Sequence, residues 1–222
     1  MEGVFPEVVF TLFGLPVRDT VISTWIMMAI VTAAAIIIGR RQLTALEMLV
    51  DFLNDLISGV MGAPAAAFLP LLGTLAIFIA AANVIGVIPF LSSPTRDINT
   101  PLALALVVFF SVHYFGMREK GVWGYLKDMA SPIFILPLEL VGQLSRTLSL
   151  TLRLFGNIIS AELIIAVMFV LAPLFVPLPL VGFSIFTGLL QAYIFTVLAA
   201  VYISAGLAAN EPLRKPKGAP AG

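Results

Sequence analysis

The chain has 222 residues and a formal net charge of zero, and 60% of its residues are hydrophobic whereas only 11% are charged. Soluble domains carry about 25% charged residues, so this chain cannot cover itself with polar surface and its solvent must be a lipid bilayer. The net charge of zero gives no indication of nucleic-acid binding. The chain has no cysteine, so it forms no disulfide and no thiolate metal site, and its single histidine, His113, cannot build a histidine-rich metal site.

The N-terminal residues 1–19 precede the first predicted membrane span. They lack a basic region, and Pro6, Gly14 and Pro16 interrupt their apolar residues, so we interpret them as mature sequence rather than a secretory signal. The span itself covers 20–39, close to the ~20 apolar residues that a bilayer core requires.

Residues 43–62 are long enough to span a membrane, but their pattern is amphipathic. One helical face is apolar and comprises Leu46, Leu49, Leu53, Ile57 and Val60. The opposite face is polar and comprises Glu47, Asp51, Asn54, Asp55 and Ser58. Three carboxylates on one stripe are costly in hydrocarbon, so we predict a helix lying flat on the membrane surface. Packing of this helix against a soluble partner is the alternative.

Two further spans are predicted at 68–90 and 101–116, on either side of the polar turn LSSPTRDINT. Thr100 followed by Pro101 predicts a helix N-cap with proline at the first helical position. Residues of a kind that favours a membrane interface follow the second of these spans, namely Trp123, Tyr125 and Lys127.

The rest of the chain predicts two long apolar helices at 132–171 and 180–209. At 1.5 Å per residue the first is ~60 Å long, about twice the ~30 Å hydrocarbon thickness. It must therefore be strongly tilted, bent or projecting from the membrane, and Pro137 is a candidate for its true start. The turn between the helices contains Pro173, Pro177 and Pro179.

Basic residues fall on one side of the membrane if the crossings alternate: Arg40, Arg41, Arg118, Lys120, Lys127, Arg214, Lys215 and Lys217. The positive-inside rule makes that side cytoplasmic, with the N-terminus outside and the tail 210–222 inside. The sequence thus predicts one all-α polytopic membrane domain. It has about five crossings, one amphipathic surface helix, and a final pair of long tilted helices packed as a hairpin.

A polar stripe runs along the first long helix. At 100° per residue, one narrow face carries Glu139, Gly142, Arg146, Ser149, Arg153, Asn157 and Ser160. Glu162 lies on the opposite face, where a water-filled cavity is its expected solvent. An arginine at bilayer depth costs at least ~2.5–3.5 kcal/mol and usually marks a pathway or a partner charge. We assign that meaning to Arg153, whereas Arg146 equally well reaches the interface by snorkelling.

Folding the hairpin about residue 172 places Arg153 at the depth of Gln191, and Glu162 beside Ser184. One face of the last helix then carries Ser184, Thr187, Gln191 and Tyr202. Asn157 and Gln191 either join the two helices by hydrogen bonds or line an ion path. Asp97 likewise either shapes its turn or serves such a path.

These segments resemble a known family. SLTLRLFGNIISAELI resembles the signature of subunit a of the F-type ATP synthase, LLQAYIFTVLAAVYIS its last helix, and PTRDINTPLALAL the segment before its third span. The RLFGN block with a carboxylate nine residues after the arginine is specific. The resemblance covers most of the chain from Phe68 onward.

The resemblance implies a stator subunit of the bacterial plasma membrane. Its partners would be lipid, a b-type peripheral stalk subunit, and a rotating ring of c subunits that each carry one ion-binding carboxylate. Two aqueous half-channels would reach the ring from opposite sides without meeting. Arg153 matches the arginine that faces the ring carboxylate, and Gln191 the glutamine near it. Other matches to the ion path or the ring contact are Glu139, Ser149, Asn157 and Glu162, with Asp97 near the outer opening.

Ser184 departs from the family pattern, because many relatives carry a histidine on the last helix near that glutamate. The implied relay is Glu162, the serine hydroxyl and water, and the transported ion is a proton by default, with sodium as the alternative. In physical terms, a guanidinium stays charged, favours the deprotonated form of an arriving carboxylate, and repels cations that would leak between the channels.

Other functional classes fit less well. A secondary ion transporter or antiporter subunit would show inverted repeats or broken mid-membrane helices, and none is visible. A purely structural membrane anchor would not need polar groups at matching depth on two helices. The chain has no phosphate-binding loop of the GxxxxGK[ST] type, no cofactor motif and no general-base machinery, so we expect any ATP chemistry to occur on partner subunits.

Overall fold

The computed structural model describes residues 8–12, 15–41, 43–62, 65–88, 91–129, 136–172 and 175–208. Within these residues the predicted all-α polytopic fold is confirmed. Six helices form it: α1 (Asp19–Arg41), α2 (Leu43–Met61), α3 (Leu69–Ile85), α4 (Asn99–Met129), α5 (Leu136–Leu171) and α6 (Pro177–Ala208). Short 3-10 turns lie at Ala65–Ala67 and Pro94–Arg96.

Four of the helices are long and apolar enough to cross a membrane, over Asp19–Arg40, Asn99–Glu119, Pro137–Leu171 and Pro177–Leu207. α3 is a shorter apolar helix. It ends at Ile85, earlier than the predicted 90, because the chain turns at Gly86. A Cβ on Gly86 would lie 2.8 Å from the Cβ of Ser93, so the close return of the chain requires glycine here.

The burial pattern of α1 is inverted relative to a helix of a water-soluble protein. Thr20 and Ser23 are buried, whereas Trp25, Met28 and Ile37 are exposed. Apolar side chains at the outside and polar ones inside are favourable only when the surrounding solvent is hydrocarbon.

α2 is the amphipathic helix of the sequence prediction. Its carboxylates Glu47, Asp51 and Asp55 are exposed, whereas Leu53 and Ile57 are buried. Ile57 belongs to the main hydrophobic core together with residues of α3, α4, α5 and α6, so α2 is fastened to the helical bundle of its own chain.

α4 differs from its predicted bounds at both ends. It begins at Asn99 rather than 101, because the Asp97 carboxylate accepts a hydrogen bond from the Asn99 backbone N–H at 3.1 Å and takes the capping role predicted for Thr100. The helix breaks at Gly121 (φ 75°, ψ 158°) and resumes to Met129. After the break, Tyr125 is buried, whereas Trp123 is 86% exposed.

The Tyr125 ring packs on the part of α4 before the break, so closely that a Cβ on Gly116 would lie 2.5 Å from the ring. Burial raises the pKa of the Tyr125 phenol, and the Glu139 carboxylate raises it further. α4 packs against α5, whose first turn contains Glu139.

The two long helices begin at prolines close to the predicted places. α5 starts at Leu136, with Pro137 in its first turn, and contains 36 residues, or ~54 Å. α6 starts at Pro177 and contains 32 residues, or ~48 Å, so Pro177 and Pro179 open this helix instead of forming the preceding turn. Pro173 and the tail 210–222 lie outside the described residues.

α6 is the centre of the bundle and packs against α2, α3, α4 and α5. Its buried face contains small residues and one ring, including Ala192, Phe195, Ala199 and Ala200. A Cβ on Gly188 would lie 2.8 Å from the Cβ of Asn83, so glycine at this position sets the distance between α6 and α3.

An antiparallel hairpin of β1 (Val8–Leu12) and β2 (Leu15–Arg18) precedes α1 and was not predicted. Its ladder pairs Phe10 with Val17 and Leu12 with Leu15. β2 ends directly at α1, which places Arg18 and Asp19 at the junction of the hairpin and the helix.

Candidate functional site

The polar stripe of α5 lies on the outside of the molecule. Arg146, Ser149, Arg153 and Ser160 are exposed, and Asn157 is half-buried. The opposite face of the helix is turned inward and contains the buried Thr151, Leu154 and Ile158, among others. Within the part of the chain that the structure describes, none of the ion pairs involves Arg153.

Glu162 lies on the other side of α5 and lines a cavity of about 430 Å³. This volume far exceeds the ~10–15 Å³ that a single water requires. The polar residues of the cavity wall are Asn83, Ser92, Ser93, Arg96, Glu162 and Ser184. The predicted proximity of Glu162 and Ser184 is thus observed: both side chains line one cavity between α5 and α6.

The side chain of Arg96 joins two carboxylates from different helices. Its Nη2 atom donates a hydrogen bond to the Asp19 Oδ2 atom at 2.8 Å, and its Nη1 atom lies 3.7 Å from the Glu162 Oε2 atom. Beside it, Arg18 Nη1 donates to Asp97 Oδ2 at 2.6 Å. We call Arg18, Asp19, Arg96, Asp97 and Glu162 the charge cluster.

The charge cluster is largely removed from solvent. Arg96 and Asp97 are only 8% and 6% exposed. Two ion pairs join the same two segments: Arg18 pairs with Asp97, and the next residue, Asp19, pairs with Arg96. The two segments therefore meet in antiparallel order. The Ser92 hydroxyl also donates to Asp19 Oδ2 at 2.6 Å. The cluster therefore fixes the start of α1 to the turn before α4.

A network of neutral hydrogen bonds holds the cavity wall formed by α3 and the following turn. Asn83 Nδ2 donates to the Gly188 carbonyl at 2.8 Å, and its Oδ1 accepts from the Thr95 hydroxyl at 3.0 Å. The Ser93 hydroxyl donates to the Ala82 carbonyl at 2.9 Å. These groups satisfy one another in a buried region, which gives this wall a defined shape.

Two observations indicate the register of the α5–α6 hairpin. The Arg146 guanidinium lies over the Tyr202 ring, 5.5 Å from its centroid. Further along the two helices, Glu162 and Ser184 line the same cavity. Arg153 lies between these contacts on α5, which places its depth within about one helical turn of Gln191.

Gln191 is 6% exposed, and its Nε2 atom has no hydrogen-bond partner among the described residues. A buried amide donor without a partner is costly, so this group is a candidate for a hydrogen bond to an internal water. The structure gives no hydrogen bond between Asn157 and Gln191 among the described residues, so the helix-joining alternative receives no support from this pair.

The remaining predicted site residues are Glu139 and Ser149 on α5 and Asp97 before α4. Glu139 is half-buried in the first turn of α5 and accepts a hydrogen bond from Gln143 Nε2 at 3.2 Å. Ser149 is exposed on the same face as Arg153. Asp97 both caps α4 and pairs with Arg18, so its turn-shaping role is observed.

The sequence prediction missed Asp19, Asn83 and Arg96 as members of the site. The available signal was the dipeptide Arg-Asp, which occurs at 18–19 and again at 96–97, each time beside a predicted span on the same side of the membrane. Each arginine of one dipeptide can pair with the aspartate of the other, which gives two ion pairs. These pairs form only when the fold brings the two segments together.

The cavity presents one carboxylate, from Glu162, together with the Arg96 guanidinium, an amide and three serine hydroxyls. Within the described ranges, no group of three or more His, Cys, Asp or Glu side chains is arranged to hold a metal ion. The arrangement suits a carboxylate that exchanges a proton or a monovalent cation with water.

Comparison with known protein families gives one match that covers most of the chain. The family model described as ATP synthase A chain matches residues 20–204. This range includes the whole polar stripe, the cavity and all of the charge cluster except Arg18 and Asp19.

Individual relatives are similar over nearly their whole length. The chain is 46% identical to ATP synthase subunit a 2 of Bradyrhizobium sp. strain BTAi1, covering 89% of this chain and 92% of the relative. It is 39% identical to ATP synthase subunit a 1 of Hahella chejuensis, covering 93% and 91%. It is 36% identical to ATP synthase subunit a of Legionella pneumophila strain Philadelphia 1, covering 95% of each.

Proposed function

The chain belongs to the ATP synthase A chain family, and on this basis we propose that it is the ion-translocating stator subunit of a rotary F-type ATP synthase. In this role it provides two offset half-channels, and Arg153 governs ion loading of carboxylates on a ring of c subunits. The subunit has no catalytic centre of its own, and ATP turnover occurs on partner subunits.

The observation that carries the proposal is the exposure of Arg153. The residue is the eighteenth of 36 in α5, so it lies near the middle of an apolar helix with the exposed Leu148 and Leu152 beside it. A guanidinium in contact with lipid at this depth is unfavourable by at least ~2.5–3.5 kcal/mol. An acidic partner from another chain removes that cost, and a c-ring carboxylate is such a partner.

The charge of Arg153 explains the coupling of ion release to rotation. A guanidinium cannot lose its proton in a protein, so it favours the charged form of a carboxylate that arrives beside it. The ring carboxylate then releases its ion into one half-channel before it passes the arginine. The same charge repels cations that would otherwise flow directly from one half-channel to the other.

The cavity lined by Glu162 and Ser184 supports an aqueous half-channel on the side of the charge cluster. Glu162 lies nine residues beyond Arg153, or ~13.5 Å along the axis and on the opposite face. For the other half-channel we propose the first half of α5, from Glu139 in its first turn to Ser149 one turn before Arg153. Arg153 then separates the two paths, with Asn157 and Gln191 beside it.

We assign the cytoplasmic side to the ends rich in Lys and Arg, which include Arg40 and Arg118, and the outer side to the charge cluster. The N-terminus is then outside and the C-terminus inside a bacterial plasma membrane. A b-type peripheral stalk subunit is the further partner, since a stator must be held against the torque of the ring.

Ion identity is a separate part of the proposal. Ser184 supplies a hydroxyl but no titratable group, so the relay consists of Glu162, this hydroxyl and water, with the proton as the ion. ATP-driven pumping by the assembled complex, measured with and without sodium, tests this assignment. Pumping that requires sodium would replace the proton by Na⁺ without changing the stator role.

The decisive experiment is Arg153→Ala in the assembled complex, reconstituted in liposomes. We expect assembly and ATP hydrolysis to persist while ion-driven ATP synthesis is abolished. Arg118→Ala is the matched control, because it removes an exposed arginine at the end of a span, outside the proposed path. Normal coupled synthesis by Arg153→Ala would refute the proposal, and transport by the isolated chain in liposomes would indicate a transporter instead.

A further inference from the structure

The charge cluster contains one more carboxylate than guanidinium. Arg18 and Asp97 neutralise each other at 2.6 Å, which leaves Arg96 facing both Asp19 and Glu162. A single guanidinium cannot neutralise two carboxylates. Whichever of them binds it more closely leaves the other with a charge that an incoming cation can compensate.

The distances show which carboxylate binds more closely. The Arg96–Asp19 contact of 2.8 Å is a charge-assisted hydrogen bond, whereas the Arg96–Glu162 separation of 3.7 Å is longer than any hydrogen bond. Ser92 donates to the same Asp19 oxygen at 2.6 Å and strengthens this arrangement. Arg96 and Glu162 line the cavity, whereas Asp19 lies behind Arg96 and is not part of the wall.

We propose that Asp19 is a positioning residue for ion transfer: it binds Arg96 and thereby prevents this guanidinium from forming a close ion pair with Glu162. Glu162 consequently keeps an exchangeable charge in the cavity. This inference rests on the proposed function, because it assumes that ions pass Glu162. Asp19 itself touches neither the ion nor the ring.

The proposal makes an unusual prediction about a double substitution. Asp19→Asn leaves Arg96 without its closest carboxylate, so Arg96 is expected to bind Glu162 directly and to slow ion exchange. Ion-driven ATP synthesis should fall by roughly fivefold or more, within the usual range of coupling between groups in one network. Adding Arg96→Gln removes the competing cation, so the double variant should return to within about twofold of the unmodified complex.

A purely structural role of the same pair predicts a different result. If Asp19 and Arg96 served only to attach α1 to the turn before α4, their variants would change the stability and amount of assembled complex but not the synthesis rate of each assembled complex, and removing both charges would restore stability. Thermal stability and the amount of assembled complex are therefore measured beside the synthesis rate. We expect the synthesis rate per assembled complex to fall in Asp19→Asn and to recover in the double variant.

The experiment uses the assembled complex in liposomes, with Asp51→Asn as the control for replacing an exposed carboxylate by an amide. A synthesis rate per assembled complex that is low in Asp19→Asn and restored in the double variant supports the proposal, whereas a loss in Asp19→Asn that is confined to assembly overturns it. A double variant that is as slow as Asp19→Asn, or that does not assemble, overturns it. Arg153→Ala in the same preparation keeps this outcome separate from failure of the stator proposal, since that variant must lose coupling in either case.

Discussion

Arg153 and Glu162 lie nine residues apart on one helix and face opposite sides of it. Arg153 is exposed on the outside of the subunit, whereas Glu162 lines the internal cavity with Ser184. Nine residues at 100° each correspond to half a turn beyond two full turns, so the separation follows from helix geometry. One helix thereby offers a fixed cation to a neighbour and a carboxylate to water.

Arg153→Lys should reduce ion-driven ATP synthesis at least roughly tenfold, although the formal charge is kept. A lysine carries its charge on one point and loses its proton more readily when it is desolvated, so it is a poorer substitute for a planar guanidinium. Synthesis after an imposed ion gradient is the measurement. Wild-type rates would show that any cation suffices at this position.

Glu162→Gln should lower the same rate roughly tenfold or more, because an amide neither binds nor releases a proton. Glu162→Asp retains a carboxylate on the cavity wall and should recover part of the loss. Glu47→Gln on the exposed face of α2 is the control and should leave the rate unchanged. An unaffected rate in Glu162→Gln would favour a structural anchor without transport.

Gly188→Ala should destabilise the subunit by ~1–3 kcal/mol, the usual cost of overpacking. The new Cβ would lie 2.8 Å from the Asn83 Cβ and would disturb the hydrogen bond from Asn83 to the Gly188 carbonyl. Thermal denaturation of the purified complex is the measurement. Gly182→Ala in the same helix is the matched control, since its Cβ would meet no atom within 4 Å, and equal stability of the two variants would contradict the prediction.

Arg18→Gln should lower the stability of the complex more than the double variant Arg18→Gln/Asp97→Asn does. The single change leaves the Asp97 carboxylate, whose side chain is 7% exposed, without its 2.6 Å partner. Breaking a buried pair on one side costs ~3–5 kcal/mol, whereas removing both charges costs much less. The partly exposed Arg18 side chain places the effect at the lower end. Complex stability across the mutant cycle is the measurement, and strictly additive losses would refute the coupling.

Much of the fold could be predicted from the sequence because hydrocarbon solvent allows few choices. The starts of α1 and α5 follow from composition and from Pro137, and the polar stripe of α5 follows from helical periodicity, whereas α6 begins at Pro177 rather than at the predicted 180. The hairpin register followed from equal spacing about the turn, and it correctly brought Glu162 to Ser184.

The parts that could not be predicted depend on contacts between distant segments. The two hydrogen-bonded ion pairs of the charge cluster join residues 77 and 79 positions apart, and no local pattern specifies which arginine meets which carboxylate. The β1–β2 hairpin was missed because Gly14 and Pro16 were interpreted only as interruptions. The burial of Tyr125 depends on the space that Gly116 leaves on α4.

The attachment of α1 has a consequence for biosynthesis. Its polar contacts concentrate in the first turns, where Thr20 and Ser23 are buried and Asp19 binds Arg96, while most of its later residues are exposed. Because Arg96 is synthesised 77 residues after Asp19, this bond can form only after the chain has been made as far as the turn before α4. The contacts between α1 and α2 involve segments that follow each other directly, so they can form earlier.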